Sequence, residues 1–411
     1  MTMHTPRLLF VSYHYLPWIT PGSLRVASIA RHLTVSGWQV TVLTAAPGAD
    51  TADGIRVVST SPLPRGRPAT AHPHGYLRRR LEGLWKDVAF PDVHVRWSAA
   101  LAGALTRLLD RESFDAVLSS SPPHSSQCVV AAVRRRHRFV WVADYRDPWT
   151  APSRYPRHRL SLALHRALER RALVAADLVL ANTRGNREAL LRSFPTLAPE
   201  RVDVLTNGFD DSMLDAPAEP RAESSDLTYV GEVYPGMLDL YLDAVTRLAN
   251  DDPTATPRLA IYGNVDPREW RKVVARGLED RVERRGFVSH EESLRAMRRA
   301  RALLLLLPQR ESWRTCVPSK AYPYLASGRR VLALVPEGDS AALVREAGVG
   351  EVIADADAAF AAAALARFVG AVRRDGDLAT PVPPQVRAYS YAAITARLDG
   401  LLRGVVGRNH G

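Results

Sequence analysis

Short apolar runs alternate with longer segments of helical periodicity along nearly all of this 411-residue chain, and this alternation constrains its fold most. The runs at 7–12 and 39–44 predict strands, and residues 23–33 between them place Ile29 and Leu33 on one helical face. A strand, a helix and a second strand in this order form a unit with parallel strands. Its repetition predicts an α/β protein whose parallel sheets are covered by helices on both faces.

The alternation occupies two halves of the chain, which predicts two domains. Further strands are predicted at 116–119, 140–143, 178–181, 202–205, 227–230, 259–262, 282–287, 302–307, 330–335 and 351–353. Further helices are predicted at 97–109, 126–136, 160–175, 289–299, 320–326, 356–374 and 392–402, and residues 59–92 are predicted to form a surface excursion with a short helix. A turn at Asn207–Gly208–Phe209 and the polar residues 210–225 separate the halves. We therefore predict domains over 1–208 and 209–385 and a final segment over 386–411.

Composition excludes several classes of protein. A hydrophobic share of 46% is ample for two buried cores. No stretch reaches the roughly 18 apolar residues of a membrane-spanning helix, and the start of the chain lacks the features of a signal peptide. The only cysteines, Cys128 and Cys316, lie far apart, so we expect no disulfide framework and a cytoplasmic protein. Neither cysteines nor histidines show ligand spacing, so no protein-built metal site is predicted.

The chain carries a net charge of +12, and its only lysines are Lys86, Lys272 and Lys320. An arginine-, alanine- and proline-rich composition is typical of a GC-rich genome, which accounts for much of this charge. The basic stretches at 134–138 and 154–171 suit a solvated face or peripheral contact with anionic lipid. No nucleic-acid reader motif is present, so we expect no nucleic-acid partner.

The loop between the first strand and the first helix contains Gly22, Ser23 and Arg25. Glycine lets a backbone approach a ligand, and a helix N-terminus favours an anion, although an ordinary tight turn is the alternative. One glycine stands where the GxGxxG fingerprint needs three, which argues against an NAD-dependent enzyme.

Polar side chains also follow two later strands of the first half. Asp144, Arg146, Asp147 and Trp149 come directly after an apolar strand. Arginine can bind a phosphate or carboxylate in a bidentate manner, and aspartate can orient hydroxyls. The alternative is an Asp–Arg pair that fixes the loop. His124, in SSSPPHSS, is either an ordinary loop residue or part of the same site.

In the second half, Gly231 and Gly263 each end a strand, where they allow close approach of a ligand or satisfy turn geometry. The segment 310–320 follows a buried strand and opens a predicted helix whose first residues are Ser319 and Lys320. Free amides, a helix dipole and an ammonium group together suit a diphosphate. The alternative is a capped helix with a solvated lysine.

Seven segments in order resemble the retaining glycosyltransferases of the GT-B fold, in particular glycosyltransferase family 4, along nearly the full chain. They are VSYHYLPWITPGSLRVASIARHL, FPD with Trp97, SSSPPHSS, WVADYRDPWT, TNGFD, TYVGE and VPSKAYPYLASGRRVLALVP. Each is weak alone, whereas their order and spacing are specific.

The resemblance implies two facing Rossmann-like domains with parallel sheets and a C-terminal helix that crosses back to the N-terminal domain. It implies a nucleotide diphosphate-sugar donor held mostly by the C-terminal domain, a small-molecule or lipid-linked acceptor held mostly by the N-terminal domain, and no metal or other cofactor. Retention in this family is explained by front-face attack, in which the donor phosphate helps to deprotonate the acceptor. The protein then positions the substrates and stabilises the leaving diphosphate.

Residue patterns and the resemblance together predict the site residues. Catalytic roles are predicted for Asp144 and Arg146. Donor-binding residues are predicted to be Gly22, Gly231, Gly263, Val288, Arg314, Ser319 and Lys320. Acceptor-binding residues are predicted to be Ser23, Arg25, His124, Asp147 and Trp149.

The chain departs from the family pattern in its second half. The family often carries two glutamates with seven residues between them, and Thr315 and Pro323 occupy those positions here. The second glutamate normally binds ribose, which proline cannot do. An Arg and a Lys that often follow the first strand of that domain are also absent, and Glu232 and Met237 lie in that region. Diphosphate binding would therefore depend on Lys320, with Arg310 or Arg314 as further candidates.

These observations favour a metal-independent retaining glycosyltransferase of specialised-metabolite or cell-envelope glycan biosynthesis. The missing glutamates keep open a non-catalytic or auxiliary protein that binds nucleotide-sugars on the same scaffold. A hydride-transferring or epimerising enzyme is disfavoured because the dinucleotide fingerprint is absent.

Overall fold

The computed structural model describes residues 5–47, 53–60, 91–92, 94–150, 159–215, 224–375 and 381–410. The chain divides into two compact units, one formed by Met1–Asn207 with Tyr391–Gly411 and the other by Gly208–Ser390. The chain thus passes between units close to the predicted boundaries at 208 and 385.

In its described residues, the first unit contains a seven-stranded parallel sheet in the order β3-β2-β1-β4-β5-β6-β7. Its strands are β1 (Arg7–Ser12), β2 (Gln39–Thr44), β3 (Arg56–Ser59), β4 (Ala116–Ser121), β5 (Val140–Tyr145), β6 (Leu178–Ala181) and β7 (Val202–Val204). Its helices are α1 (Pro21–Val35), α2 (Val95–Arg111), α3 (Ser125–Val133), α4 (Arg159–Ala175) and α5 (Arg184–Ser193).

The described part of the second unit contains a six-stranded parallel sheet in the order β10-β9-β8-β11-β12-β13. Its strands are β8 (Leu227–Val230), β9 (Leu259–Tyr262), β10 (Val282–Gly286), β11 (Ala302–Leu306), β12 (Arg330–Leu334) and β13 (Gly350–Ile353). Its helices are α6 (Ser212–Asp215), α7 (Asp239–Asp251), α8 (Pro267–Ala275), α9 (His290–Arg299), α10 (Ala321–Ala326), α11 (Asp339–Ala347) and α12 (Ala358–Arg374). The last helix, α13 (Tyr391–His410), belongs to the first unit.

Helices cover both faces of the first sheet, which explains why β1, β2, β4, β5 and β6 are buried along nearly their whole length. Leu9 and Val11 of β1 belong to one hydrophobic cluster, whereas Leu8 and Phe10 belong to another on the opposite face. The second cluster also contains Leu398 of α13. The C-terminal helix therefore completes the core of the first unit by packing beside α1.

The predicted α/β fold with two Rossmann-like halves is confirmed. The strand Arg56–Ser59 was not predicted, because a four-residue edge strand with only partly buried side chains carries little apolar signal. The helix predicted to begin at residue 320 begins at Ala321. Most of the predicted excursion at 59–92 lies outside the described residues. No described helix has the length and apolar character needed to cross a membrane.

Candidate functional site

The strand order of each sheet reverses at one point, between β1 and β4 in the first unit and between β8 and β11 in the second. In open parallel sheets, ligands bind beyond the carboxyl ends of the strands at such a reversal. The segments that follow these four strands, including the start of α1, carry eight of the fourteen predicted site residues, which are Gly22, Ser23, Arg25, His124, Gly231, Arg314, Ser319 and Lys320.

In the second unit, the ammonium group of Lys320 lies against the end of β8. Its Nζ donates a hydrogen bond to the hydroxyl of Tyr229 and lies 4.1 Å from the centroid of that ring. The hydroxyl of Tyr229 donates in turn to the carbonyl oxygen of Glu232, at 2.8 Å. Burial lowers the pKa of Lys320 to about 7, and the carboxylate of Glu232 opposes this shift. No carboxylate in the described part of the chain forms an ion pair with Lys320, so this partly desolvated cation favours an anionic ligand.

A side chain is excluded at both Gly231 and Gly263, but by different neighbouring atoms. Gly231 has a φ of +124°, and a Cβ there would overlap Nζ of Lys320. Gly263 has a φ of +145°, and its Cβ would overlap the carbonyl oxygen of Gly231. Gly231 therefore makes room for the ammonium group. Close backbone packing between the ends of β8 and β9 explains a glycine at Gly263, and its contact with the donor stays a prediction.

The predicted helix start at Ser319 and Lys320 needs correction. Helix α10 has only six residues, and Lys320 occupies its N-cap position without a side-chain capping bond. So short a helix has a weak dipole, so the ammonium group and not the helix terminus is the anion-binding feature. Pro323 lies in the first helical turn, where its missing N–H costs no intrahelical bond.

Arg314 does not contribute a free cation. Its exposed guanidinium pairs with Glu311 at 3.2 Å and donates to the carbonyl oxygen of Glu337 at 2.8 Å. These contacts occupy its guanidinium in the described structure, and its donor-binding role stays a prediction. Val288 lies half-buried between β10 and α9 and packs against a core cluster that contains Tyr322.

In the first unit, the guanidinium of Arg146 lies beyond β5. It donates to the carbonyl oxygens of Ser121 and Pro122, both at 3.2 Å, and a Cβ at Gly22 would overlap it. Burial lowers the pKa of Arg146, while Asp144 and Asp147 oppose the shift. Arg146 forms no ion pair with a described carboxylate. It is therefore a second cation suited to an anionic group, and Gly22 allows its position.

His14 lies in the loop after β1 and was missed by the sequence predictions. Burial, Arg146 and His94 lower its pKa to about 4, so the imidazole is neutral at neutral pH. Its Nδ1 is buried and has no hydrogen-bond partner in the described residues. Tyr13 and Trp18 lie at ring-centroid distances of 5.0 and 6.2 Å from it. Its position directly after β1, in the quoted segment VSYHYLP, is the signal that could have identified it.

Arg25 and Asp144 form a buried ion pair, and the predicted acceptor-binding role of Arg25 and catalytic role of Asp144 stay predictions. Their side chains are 1% and 2% exposed, and Nη2 of Arg25 lies 3.2 Å from Oδ1 of Asp144. The other carboxylate oxygen accepts from Ser120 Oγ at 2.9 Å. Arg25 also donates to the carbonyl oxygens of Leu205 and Thr206. The alternative interpretation, a pair that fixes the loop, is the one that the contacts support.

Ser23 is likewise a structural residue. It is fully buried and forms a capping box at the start of α1, in which Thr20 and Ser23 each bond the other's backbone N–H. Its hydroxyl also donates to the carbonyl oxygen of Trp18. These bonds give Ser23 a structural role at the start of α1, and its acceptor-binding role stays a prediction.

His124 and Trp149 are brought together as a stacked pair with a ring-centroid distance of 5.1 Å. Trp149 is 2% exposed, and its Nε1 donates to Nδ1 of His165 at 2.9 Å. Trp149 is thus part of the core of the first unit, and its contact with the acceptor stays a prediction. Asp147 is half-buried beside Arg146. Among the described residues, no group of three or more His, Cys, Asp or Glu side chains has the arrangement of a metal site.

Comparison with known proteins identifies what the chain resembles. The model of Glycosyltransferase Family 4 matches residues 23–213. Alpha-maltose-1-phosphate synthase of Mycolicibacterium smegmatis is 38% identical over 80 residues, which is 20% of this chain and 20% of the relative's own length.

Two solved structures share the fold over nearly their whole length. Alr3699/HepE of Anabaena, in complex with UDP and glucose, has a TM-score of 0.64 and 16% identity over 96% of this chain and 98% of that chain. Sucrose-phosphate synthase from Thermosynechococcus elongatus has a TM-score of 0.63 and 18% identity, covering 98% and 100%. The chain therefore has the GT-B fold and resembles glycosyltransferase family 4, as the sequence predicted.

Proposed function

We propose that this protein, which has the GT-B fold and resembles glycosyltransferase family 4, transfers a sugar from a nucleotide diphosphate-sugar to an acceptor with retention of configuration. The observation that carries the proposal is the half-buried ammonium group of Lys320, which lies over Tyr229 without a carboxylate partner in the described residues. The UDP bound to the Anabaena protein supports a diphosphate as the anion.

Lys320 would act on the leaving group. Negative charge grows on the donor's β-phosphate as the bond to the sugar breaks. A fixed ammonium group in a partly desolvated site stabilises that charge more strongly than water does. Because Lys320 is already held by Tyr229, little reorganisation is needed during transfer.

Arg146 and His14 would act in the first unit. Arg146 presents a guanidinium to an anionic group of a substrate, and the neutral His14 can accept or donate a hydrogen bond to a sugar hydroxyl. Asp147 and His124 remain proposed acceptor-side residues, and Gly22, Val288 and Ser319 remain proposed donor-side residues. The acceptor would be a small molecule or a lipid-linked sugar of specialised-metabolite or cell-envelope glycan biosynthesis in the cytoplasm.

In this proposal no metal ion is required, since the ammonium group of Lys320 would offset part of the negative charge on the leaving diphosphate. With donor and acceptor supplied, transfer should persist in EDTA, and the anomeric configuration of the product should match that of the donor by nuclear magnetic resonance.

A thermal-shift panel of UDP, GDP, dTDP and ADP tests donor binding first. A shift with one nucleotide, lost in Lys320→Ala, supports the proposal. No shift with any nucleotide would contradict it. A shift without transfer to any acceptor would favour an auxiliary protein that binds nucleotide-sugars. Thr315 and Pro323, at the positions where the family often has glutamates, are the reason to consider this alternative.

A further inference from the structure

Helix α4 has a buried face and an exposed apolar face. His165, Glu169 and Ala172 are buried in the first unit. On the opposite side, Leu160 is 72% exposed, and Leu164 and Val174 are 59% and 52% exposed. Scattered exposed apolar residues are ordinary on a soluble protein, but these three share one helix face about 21 Å long. An apolar face of this kind is typical of a binding surface.

The same face is positively charged. Arg171 lies between the apolar residues on the helix surface, and Arg166 and Arg170 lie along one flank. All three arginines are exposed, and none forms an ion pair with a carboxylate in the described residues. The one acidic residue of α4, Glu169, is buried and accepts a hydrogen bond from the backbone N–H of Thr150 at 3.2 Å. The exposed side of α4 therefore carries cations without acidic neighbours on the helix.

Further arginines adjoin the C-terminal end of α4. Arg134 donates to the carbonyl oxygen of Ala175 and to Asp177 Oδ1, the latter at 2.7 Å. These bonds place the stretch 134–138 beside the helix end. Arg135, Arg136 and Arg138 are exposed there, again without ion pairs to described carboxylates. We call these three arginines, with the exposed residues of α4, the α4 face.

We propose that the α4 face docks on the surface of an anionic phospholipid bilayer. The helix lies parallel to the bilayer, with Leu160, Leu164 and Val174 inserted at the boundary of headgroups and acyl chains. The arginines pair with lipid phosphates, and their long side chains let the charged ends stay at headgroup level.

Two other occupants fit the face less well. A nucleic acid would pair with the arginines but would leave the exposed leucines without an apolar partner. A second copy of the chain, joined through a two-fold axis, would bring arginines against arginines. Of these three occupants, the anionic bilayer is the one that satisfies both the charge and the apolar side chains. The proposal does not depend on glycosyl transfer.

Sedimentation with vesicles tests the proposal on the full chain. The vesicles are phosphatidylcholine alone, or equal parts phosphatidylcholine and phosphatidylglycerol. The test variant is Arg166→Gln/Arg170→Gln/Val174→Gln. The matched control is Arg268→Gln/Arg271→Gln/Val274→Gln on α8, which removes the same residue types from an exposed face of the second unit. Circular dichroism confirms that both variants are folded.

The wild-type chain should bind the anionic vesicles and not the neutral ones. The α4 variant should bind about tenfold more weakly, whereas the α8 variant should keep its affinity. Leu160→Gln/Leu164→Gln should lose the binding that persists at high salt, because screening removes the electrostatic part only. Absence of wild-type binding, or equal losses in the two arginine variants, would overturn the proposal.

Discussion

Burial of the Lys320 ammonium group costs free energy in the unliganded protein, but the same group favours the binding of an anionic ligand. Its ammonium group is held by an aromatic face and a hydroxyl, not by a carboxylate. A carboxylate partner would have stabilised the cation but would also have competed with an anionic ligand. Tyr229 holds the charge in position while leaving it uncompensated.

Removal of this charge should weaken donor binding. Lys320→Ala is expected to raise the Kd of the preferred nucleotide diphosphate about 10- to 100-fold, which corresponds to the loss of one charge-assisted hydrogen bond. Lys320→Arg should restore only part of the affinity, because the planar guanidinium does not fit the space left by Gly231. Isothermal titration calorimetry measures the Kd of both variants. The control is Arg345→Ala, which breaks an exposed ion pair to Glu337. An unchanged Kd in Lys320→Ala would contradict the assignment.

Donor affinity should also depend on pH. The pKa of Lys320 is lowered to about 7 in the free protein, and a bound diphosphate raises it again. Binding is therefore strongest below about pH 7 and falls as the pH rises through the pKa of the free amine, by about tenfold per unit while the bound pKa stays higher. A nucleotide diphosphate-sugar is the proper probe, since its diphosphate does not titrate in this range. The same slope in Lys320→Ala would assign the effect to another group.

Replacement of Gly231 should affect donor binding as well as stability, because it changes more than the backbone conformation. Gly231→Ala introduces a Cβ where Nζ of Lys320 lies, so the ammonium group must move. Gly277→Ala is the matched control, because Gly277 has a φ of +64° but open space around the new Cβ. Both variants should lose about 1–3 kcal/mol of stability in urea unfolding. Only Gly231→Ala should also weaken donor binding, and equal affinities would argue against a role in making room for Lys320.

At the scale of elements, the buried pair of Arg25 and Asp144 joins α1, β5 and the segment after β7. The guanidinium also bonds the carbonyl oxygens of Leu205 and Thr206, where the chain leaves the first unit. A pair in this position fixes the loops that hold Arg146 and His14. Their relative placement thus depends on a pair of side chains that is itself buried.

Breaking this pair should destabilise the protein strongly. Asp144→Ala leaves a buried guanidinium without its carboxylate, and we expect a loss of about 3–5 kcal/mol in the free energy of unfolding. The double variant Arg25→Met/Asp144→Leu should lose less than the sum of the single variants, because no charge remains unpaired. Additive losses in denaturant titrations would show that the two residues act independently.

At the scale of the whole molecule, the N-terminal unit is completed by the other end of the chain. Leu398 and Leu402 of α13 are fully buried, and the indole Nε1 of Trp38 donates to Asp399 Oδ1 at 2.6 Å. One face of α13 is therefore part of the core of the first unit, so the helix is not an appended tail.

Leu398→Ala should accordingly destabilise the first unit by about 2–5 kcal/mol, as expected for a buried leucine. Arg408→Ala, on the exposed side of the same helix, serves as the control. Hydrogen exchange followed by mass spectrometry should show faster exchange in β1 and α1, with the second unit unaffected. Uniform loss of protection in both units would contradict the assignment of α13 to the first unit.

The sequence by itself determined the fold class, most elements and the region of the donor-side cation, because these follow from hydrophobic periodicity, turn residues and the order of motifs. It did not determine which polar residues face a ligand. Asp144, Arg25 and Ser23 carry the same chemistry whether they bind a substrate or other protein groups, and only the tertiary structure shows that all three are buried and bonded within the protein. The tertiary structure likewise placed Lys320 over Tyr229, since a contact between residues 91 positions apart leaves no local pattern. Periodicity records which side of an element is buried, whereas partners across the sheet are decided by packing.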